Sequence, residues 1–315
     1  MPRLYALAFV LIAAGTAQAA EKTLDKTFTV SPGGTLLVDA DGADIHVAGN
    51  DSNQVVVHMV FRGSESDLAK MKIDAVQTSN GVSVTMKKED RGWFSWGGWG
   101  GEQNIQVTVP RHYVVNAHTG GGGVELKDTE GAATLHTSGG DVSAKNVGGN
   151  VELKTSGGSI HADAIRGDVD ADTSGGDVSA KNITGNAKLQ TSGGSIQADT
   201  VQGDVDADTS GGDVRLLKVD GKIRGNSSGG SVRLSLVGAN RGISATSSGG
   251  DIEMSLPRGT AARIDASTSG GEVTTDIPVT TTVVKEHALH GTFNGGGETI
   301  YAHTSGGSIR VHAEN

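Results

Sequence analysis

The sequence predicts an all-β fold: a parallel β-solenoid with coils of 18 residues and less regular N- and C-terminal ends. The first observation is a phrase, Thr-Ser-Gly-Gly-[Asp/Ser]-[Val/Ile], that recurs every 18 residues through the middle of the chain. The second is that residues 137–172 and 173–208 are identical at 27 of 36 positions. A short fixed period indicates like units that stack, each in contact only with its neighbours. Regular copies of the phrase begin at Thr137, Thr155, Thr173, Thr191 and Thr209.

Each coil is predicted to contain two short strands and two turns. Val142 and Ala144 alternate with polar residues, and Val151 and Leu153 do the same nine residues later. This period of two is typical of a β-strand with one buried face. Glycines recur every nine residues rather than every six, which favours a flattened, two-sided coil over a triangular one. The paired glycines that should form the turns, with the positive φ that glycine allows, are Gly139, Gly140, Gly157, Gly158, Gly175, Gly176, Gly193 and Gly194.

Equivalent positions in successive coils are expected to form continuous apolar columns. Stacked strands lie about 4.8 Å apart, so side chains one period apart should contact each other. Each column should therefore be a dry ladder of aliphatic side chains. The three columns are Val142, Ile160, Val178, Ile196, Val214 and Val232; Val151, Val169, Ala187, Val205 and Ile223; and Val147, Ile165, Ile183, Val201, Val219 and Val237.

The repeats become irregular toward both ends, where an open solenoid needs covers over its strand edges. We expect residues 21–110 to form an N-terminal β-rich region or cap with one short helix and a loop rich in Trp and Gly. Residues 111–315 should hold the solenoid repeats, with 276–296 as an insertion or a C-terminal cover. The last copy of the phrase, at Thr304, should lead into a terminal strand.

Residues 1–20 have the features of a secretory signal peptide. Arg3 precedes a short apolar run, and the small residues Ala17 and Ala19 form a cleavage site. The run is too short to span a bilayer as a helix, and the sequence predicts no transmembrane segment after signal removal. The chain has no cysteine and a formal net charge of −10, which argues against disulfides, a lipid-anchoring cysteine and nucleic acid as a partner. We therefore expect an exported protein, either periplasmic or extracellular.

The order of these features resembles a bacterial family of β-strand-repeat proteins, a domain of unknown function labelled as candidate adhesins. The shared features are the signal peptide, an opening strand near residues 26–30, Gly42-Ala-Asp-Ile-His-Val, a Val-Thr-Val-Pro segment ending at Pro110, and the serial Ser-Gly-Gly turns. The resemblance covers nearly the whole mature chain. It implies an exported β-solenoid of the envelope or the extracellular space, and it brings no catalytic residues.

A cluster of aromatic residues is one candidate contact site. Seven consecutive residues of a Gly-rich segment contain Trp93, Phe94, Trp96 and Trp99, which include every Trp in the chain. Exposed rings in such a loop could stack on sugars or enter a membrane interface. The alternative is that they close an apolar face of the solenoid, because large exposed apolar patches are uncommon on soluble monomers.

Two acidic strings are weak candidates for calcium binding. Each has three alternating carboxylates, and calcium favours clusters of oxygen ligands. Alternation also directs these side chains outward to solvent, so we expect a solvated surface and predict no metal or other cofactor. The residues are Asp168, Asp170 and Asp172 in the first string, and Asp204, Asp206 and Asp208 in the second.

Residue types that often carry catalysis are present without the partners they need. His118 and His136 are 18 residues apart and should stack on adjacent coils, but two imidazoles are too few for a structural zinc site. The Ser of each phrase has no repeated His partner, so we expect a turn residue with hydroxyl ladders and not a nucleophile. A glycosidase needs two carboxylates across a cleft, and no cleft under long loops is predicted. We therefore expect no catalytic residues.

The sequence favours a non-catalytic exported β-solenoid that acts as an adhesin-like binding or structural module of the bacterial envelope. Its partner would be an envelope or cell-surface component, either a glycan or a protein. Identical repeats would also permit self-association if a strand edge were uncovered. Two alternatives stay open: a polysaccharide-active β-helix lyase or hydrolase, and an envelope-stress accessory protein.

Overall fold

The computed structural model describes residues 20–89 and 101–314. Almost all of the predicted signal peptide lies outside the described residues. Within them the fold is the predicted all-β parallel solenoid, with one short helix and 29 strands. No helix in the described ranges has the length and apolar character needed to cross a membrane.

The chain divides into two compact units, residues 1–155 (unit 1) and 156–315 (unit 2). The elements of unit 1 are β1 (Ala20–Thr29), β2 (Thr35–Ala40), β3 (Asp44–Asn50), β4 (Gln54–Gly63), α1 (Glu65–Lys70), β5 (Met71–Thr78), β6 (Gly81–Lys88), β7 (Gln103–Pro110), β8 (Val114–Thr119), β9 (Val124–Thr129), β10 (Ala133–Thr137), β11 (Val142–Val147) and β12 (Val151–Thr155). The elements of unit 2 are β13 (Ile160–Ile165), β14 (Val169–Thr173), β15 (Val178–Ile183), β16 (Ala187–Thr191), β17 (Ile196–Val201), β18 (Val205–Thr209), β19 (Val214–Val219), β20 (Ile223–Ser227), β21 (Val232–Leu236), β22 (Ile243–Ser247), β23 (Ile252–Pro257), β24 (Ala262–Thr268), β25 (Val273–Thr275), β26 (Val279–Lys285), β27 (Ala288–Phe293), β28 (Thr299–Thr304) and β29 (Ile309–Glu314).

Unit 1 is built from two sheets, and each coil supplies one strand to each sheet. The first sheet has the order β1-β4-β7-β3-β9-β11, and the second has the order β5-β6-β2-β8-β10-β12. The pairs from β7 and β6 inward are parallel. The outer pairs β1–β4, β4–β7 and β5–β6 are antiparallel. Antiparallel strands thus finish a stack whose interior is parallel.

The outer strands of unit 1 protect a free sheet edge. Lys22 of β1 donates a hydrogen bond to the Met71 carbonyl oxygen on β5 at 2.9 Å. Lys26 donates to the Ala75 carbonyl oxygen at 2.8 Å and pairs with the Asp74 carboxylate at 2.9 Å. An unprotected edge presents such carbonyl groups to another strand. These two lysines therefore block strand addition at β5.

In unit 2 the order of stacking departs from the order of the chain. The two sheets run β13-β15-β17-β19-β21-β23-β29-β25 and β14-β16-β18-β20-β22-β28-β24-β27-β26. Strand β28 lies between β22 and β24, and β29 lies between β23 and β25. The phrase at Thr304 therefore belongs to the last coil of the chain but not to the last coil of the stack. Strands β26 and β27 form an antiparallel hairpin that pairs with β24.

The aliphatic columns form the interior, as the period of 18 predicts. Val178, Ile196 and Val214 pair in register on β15, β17 and β19, and each is 1% exposed. In the other sheet Val169 and Val205 flank Ala187 in register, and all three side chains are buried. Burial of apolar surface contributes about 25 cal/mol per Å². A slender core without large aromatic side chains can therefore stabilise the regular coils.

The third column departs from the prediction at its last member. Val219 pairs with Leu236, while Val237 is 39% exposed, so the placement of Val237 in this column is wrong. In earlier coils the residue before the column position has a left-handed backbone, which inserts one extra residue into the strand. Strand β21 has no such residue, so Leu236 comes into register one position early. The left-handed residues, with φ between 52° and 61°, are Asp128, Asn146, Ala164, Asn182, Thr200 and Lys218.

The paired glycines lie where successive turns approach each other, but the expectation of positive φ is wrong. The left-handed glycines of the described residues are Gly33, Gly81, Gly238, Gly242, Gly295 and Gly296, and none of them belongs to a repeat pair. A Cβ added at Gly176 would lie 2.1 Å from the Gly158 carbonyl oxygen, and one added at Gly194 would lie 2.1 Å from that of Gly176. The second glycine of each pair is therefore required by a close contact between backbones.

Replacing Gly176 by Ala should destabilise the protein, because the new Cβ would overlap the Gly158 carbonyl oxygen. Overpacking of this kind costs about 1–3 kcal/mol. The control is Gly259→Ala, where an added Cβ meets nothing within 4 Å. Thermal melting of the two variants measures the difference. Equal melting temperatures would contradict a steric role for Gly176.

Candidate functional site

A buried hydroxyl group joins each Thr-Ser-Gly-Gly turn to the turn of a neighbouring coil. Thr191 donates a hydrogen bond from Oγ1 to the Gly176 carbonyl oxygen at 2.8 Å, and Thr209 does the same to Gly194. An unpaired carbonyl group would be costly in this interior. The ladder is thus formed by the Thr of each phrase and not, as expected, by the Ser that follows. Its members, all buried, are Thr119, Thr137, Thr155, Thr173, Thr191, Thr209, Ser227, Ser247, Thr268 and Thr304.

The inward direction of these hydroxyl groups leaves their sequence neighbours on the outside. Gln190 precedes Thr191 and Ser192 follows it, and the same arrangement recurs in each coil of unit 2. Two polar columns therefore run side by side along the stack. The first column is Asp172, Gln190, Asp208, Asn226, Thr246 and His303, and the second is Ser192, Ser210, Ser228, Ser248 and Ser305.

These two columns line a groove of about 730 Å³ in unit 2, which we call the unit 2 groove. It passes six coils in stacking order, at strands β14, β16, β18, β20, β22 and β28. Ligand sites in proteins commonly have volumes of about 300–1,000 Å³. The groove is therefore large enough to be a binding site, and its elongated form suits an extended ligand.

Part of the groove's polar surface is hydrogen-bonded within the protein, and part is open. The Asn226 amide donates to the Asp208 carboxylate at 2.6 Å, and the Thr246 hydroxyl donates to the Asn226 carbonyl oxygen at 2.7 Å. Among the described residues, the Gln190 carboxamide and the Ser hydroxyl groups of the second column have no hydrogen-bond partner. These open groups are available to a ligand.

The unit 2 groove is acidic. Asp172 and Asp208 line it, and none of its lining residues is Lys or Arg. Beside it on β18, burial and the negative charge of Asp208 raise the pKa of the Asp206 carboxyl group above its ordinary value. Arg224, whose Nε lies 3.6 Å from Asp206, offsets only part of this effect. The groove therefore disfavours anionic ligands.

The calcium candidates are not brought together. Asp168 and Asp204 lie at turns, where each carboxylate accepts a backbone N–H of the next coil at 2.7 and 2.8 Å. The other four lie in pairs on β14 and β18, with β16 between them: Asp170, Asp172, Asp206 and Asp208. In the part of the chain that the structure describes, no three His, Asp or Glu side chains are placed to hold a metal ion.

The two histidines singled out by their spacing lie on unit 1. His118 and His136 are in register on the neighbouring strands β8 and β10. Burial lowers the pKa of His136, and Glu152, with Oε1 at 3.7 Å from Nε2, opposes this only in part. At neutral pH a neutral ring at His136 is therefore favoured, as part of a polar outer face.

The sequence-based contact site and the unit 2 groove are different parts of the chain. Trp93, Phe94, Trp96 and Trp99 lie outside the described residues. The groove is not apparent from the sequence, because its first column changes residue type from coil to coil. The signal that could have found it is positional: each lining residue is the buried Thr or Ser of a phrase or one of its immediate neighbours.

Comparison with family models gives one match. A model described as Toastrack DUF4097 matches residues 35–312. The match includes the repeats of both units and both columns of the groove. Comparison with curated proteins gives no match.

Several solved bacterial structures align with most of this chain. A candidate adhesin from Bacteroides fragilis is 12% identical, with 92% of this chain and 97% of that chain covered and a TM-score of 0.35. A candidate lipid-binding protein from Parabacteroides distasonis is 11% identical, with 96% and 98% covered and a TM-score of 0.36. A candidate adhesin from Parabacteroides merdae is 11% identical, with 96% and 98% covered and a TM-score of 0.31. At these identities and TM-scores the alignments carry no information about function.

Replacing Asp206 by Asn should stabilise the protein at neutral pH. A raised pKa means that the folded state loses stability as the pH rises through the pKa of Asp206, because ionisation is less favourable there than in the unfolded chain. The variant should therefore melt at a higher temperature than the wild type at pH 7, and this gain should vanish near pH 3. Asp170→Asn, in the equivalent position two coils away, is the matched control. A gain of the same size at both pH values would contradict the electrostatic cause.

Proposed function

The chain belongs to the Toastrack DUF4097 family, and we propose that it is a non-catalytic, exported binding module of the bacterial envelope. Its partner is a component of the envelope or of a cell surface, and the unit 2 groove makes the contact. The signal-peptide features of residues 1–20 support export to the periplasm or the exterior.

The groove is the observation that carries this proposal. It presents the first polar column at six successive coils and the second at five of them, with open hydrogen-bonding groups and a volume of about 730 Å³. A surface that repeats in this way favours an extended partner held by many weak contacts, since each coil adds a similar set of groups. A scaffold of stacked coils holds these groups at fixed spacing before the partner binds, so little conformational entropy is lost on binding.

The arrangement of the carboxylates favours binding over catalysis. Asp172 and Asp208 belong to the same column, so both lie on one wall of the groove. A glycosidase places its two carboxyl groups on opposite sides of the scissile bond. The buried Thr hydroxyl groups are engaged with backbone carbonyl oxygens, as Thr191 is with Gly176, and are not free to act as nucleophiles.

Filling the groove should weaken binding to the envelope. The variant Ser210→Leu with Ser228→Leu replaces two exposed hydroxyl groups by bulky apolar side chains. We expect it to stay folded and to lose most of its co-sedimentation with isolated envelopes of the source bacterium. The control carries the same change on the opposite sheet, Ser179→Leu with Ser255→Leu, and should bind like the wild type.

Two results of this assay would count against the groove. One is undiminished co-sedimentation of the folded groove variant. The other is loss of binding in a variant in which Trp93, Trp96 and Trp99 are all Ala while the groove variant binds normally. The second result would indicate that the contact site is the aromatic segment proposed from the sequence and not the groove.

A further inference from the structure

We propose that the unit 2 groove binds a neutral, extended glycan chain that lies along the direction in which the coils stack, with one sugar beside each coil. This inference rests on the proposed function and adds the chemical class of the ligand. It depends on four features: the charge of the groove, its open hydrogen-bonding groups, the spacing of the coils and an exposed aromatic ring beside the groove.

The charge of the groove disfavours polyanions. Asp172 and Asp208 are its ionisable acids, and no Lys or Arg side chain lines it. Lys188 and Arg224 lie beside the groove in the row of Asp206, and Arg224 pairs with Asp206 at 3.6 Å. Phosphorylated or sulfated polymers need basic side chains to neutralise their charge. A neutral polymer meets no such penalty, and its hydroxyl groups can donate hydrogen bonds to the two carboxylates.

The side chains of the groove that have no hydrogen-bond partner are complementary to the hydroxyl groups of sugars. The Gln190 carboxamide can donate and accept, and the Ser hydroxyl groups of the second column can do both. None of these groups has a hydrogen-bond partner among the described residues. Sugar hydroxyl groups have the same dual capacity. Lipid acyl chains have neither donors nor acceptors, and the groove offers them no apolar floor.

An extended peptide finds less to bind in this groove. A peptide strand gains affinity mainly by adding to a sheet edge through backbone hydrogen bonds. Here the backbone groups of the turns already bond between coils: the Gly193 N–H donates to the Ser174 carbonyl oxygen and the Gly211 N–H to that of Ser192, each at 3.0 Å. What remains is side-chain chemistry, which suits sugar hydroxyl groups better than peptide groups.

The spacing of the columns suits a polysaccharide. Neighbouring coils lie about 4.8 Å apart, which is close to the length of one pyranose in an extended β-linked chain. Successive sugars would therefore lie beside successive coils. Because neighbouring sugars of such a chain face opposite ways, the same edge of the sugar would face the groove at every second coil. Because six coils line the groove, affinity should rise with chain length up to about six sugars.

An aromatic ring lies beside the groove on β28. Tyr301 is 40% exposed and lies two residues before His303 on β28, so both side chains are on the same face of the sheet. His303 itself lines the groove. An amphipathic ring in this place can cover the apolar face of a pyranose while its hydroxyl group stays in water.

The test is titration calorimetry of the full exported chain with two neutral oligosaccharides, cellohexaose and fully N-acetylated chitohexaose. We expect both hexaoses to bind about tenfold more tightly than the corresponding trioses, because more coils are engaged. Gln190→Ala should weaken hexaose binding about three- to tenfold, the loss expected for one or two hydrogen bonds. The matched control is Gln197→Ala, which removes an exposed Gln from the opposite sheet and should leave binding unchanged.

The outcomes separate the ligand class from the proposed function. If neither hexaose binds while the Ser210→Leu, Ser228→Leu variant still loses envelope binding, the ligand class is wrong and the groove remains a binding site. Gln190-dependent binding of dextran sulfate or of an oligolysine peptide, without binding of the hexaoses, would also overturn the glycan assignment. If the groove variant keeps full envelope binding, the proposed function fails as well.

Discussion

The contact between successive Thr-Ser-Gly-Gly turns is the constraint on which the structure depends. The second glycine of a pair lies so close to the turn before it that a Cβ at Gly176 would be 2.1 Å from a carbonyl oxygen. At the same place the buried hydroxyl of Thr191 bonds to the Gly176 carbonyl oxygen at 2.8 Å. The position of Gly176 must therefore lack a side chain, and the position of Thr191 must carry a small side chain whose hydroxyl group points inward and donates a hydrogen bond. These two requirements fix the register of each coil, and the aliphatic columns follow from that register.

The candidate site follows from the same constraint. Because Thr191 is committed to the interior, Gln190 and Ser192 must face outward, and repetition of this arrangement makes the two columns of the groove. The interior hydroxyl position is restricted to Thr or Ser, whereas the outward positions can vary without disturbing the stack. The chemistry of the outward surface can thus change from coil to coil on a constant scaffold.

The sequence predicts the regular coils well because equivalent positions have the same structural role, buried or exposed, in every repeat. The alternation at Val178 and Ala180 predicts a buried strand face, and both residues lie in the core. Features that depend on local backbone geometry are not predictable in this way. The left-handed residue is Asn in some coils but Ala164 and Lys218 in others, so residue type gives no consistent signal. The insertion of the Thr304 coil inside the stack depends on long-range pairing, and the groove depends on columns whose residue types differ.

The stability of two variants at one position of the buried ladder directly measures the contribution of the Thr hydroxyl group. Thr191→Ser keeps the hydroxyl group and loses one methyl group, which should cost about 1 kcal/mol. Thr191→Val keeps the shape but leaves the Gly176 carbonyl oxygen without its hydroxyl partner, which should cost about 1–3 kcal/mol. Chemical denaturation should therefore show Val to be the more destabilising substitution. A Val variant as stable as the wild type would contradict the central role of this hydrogen bond.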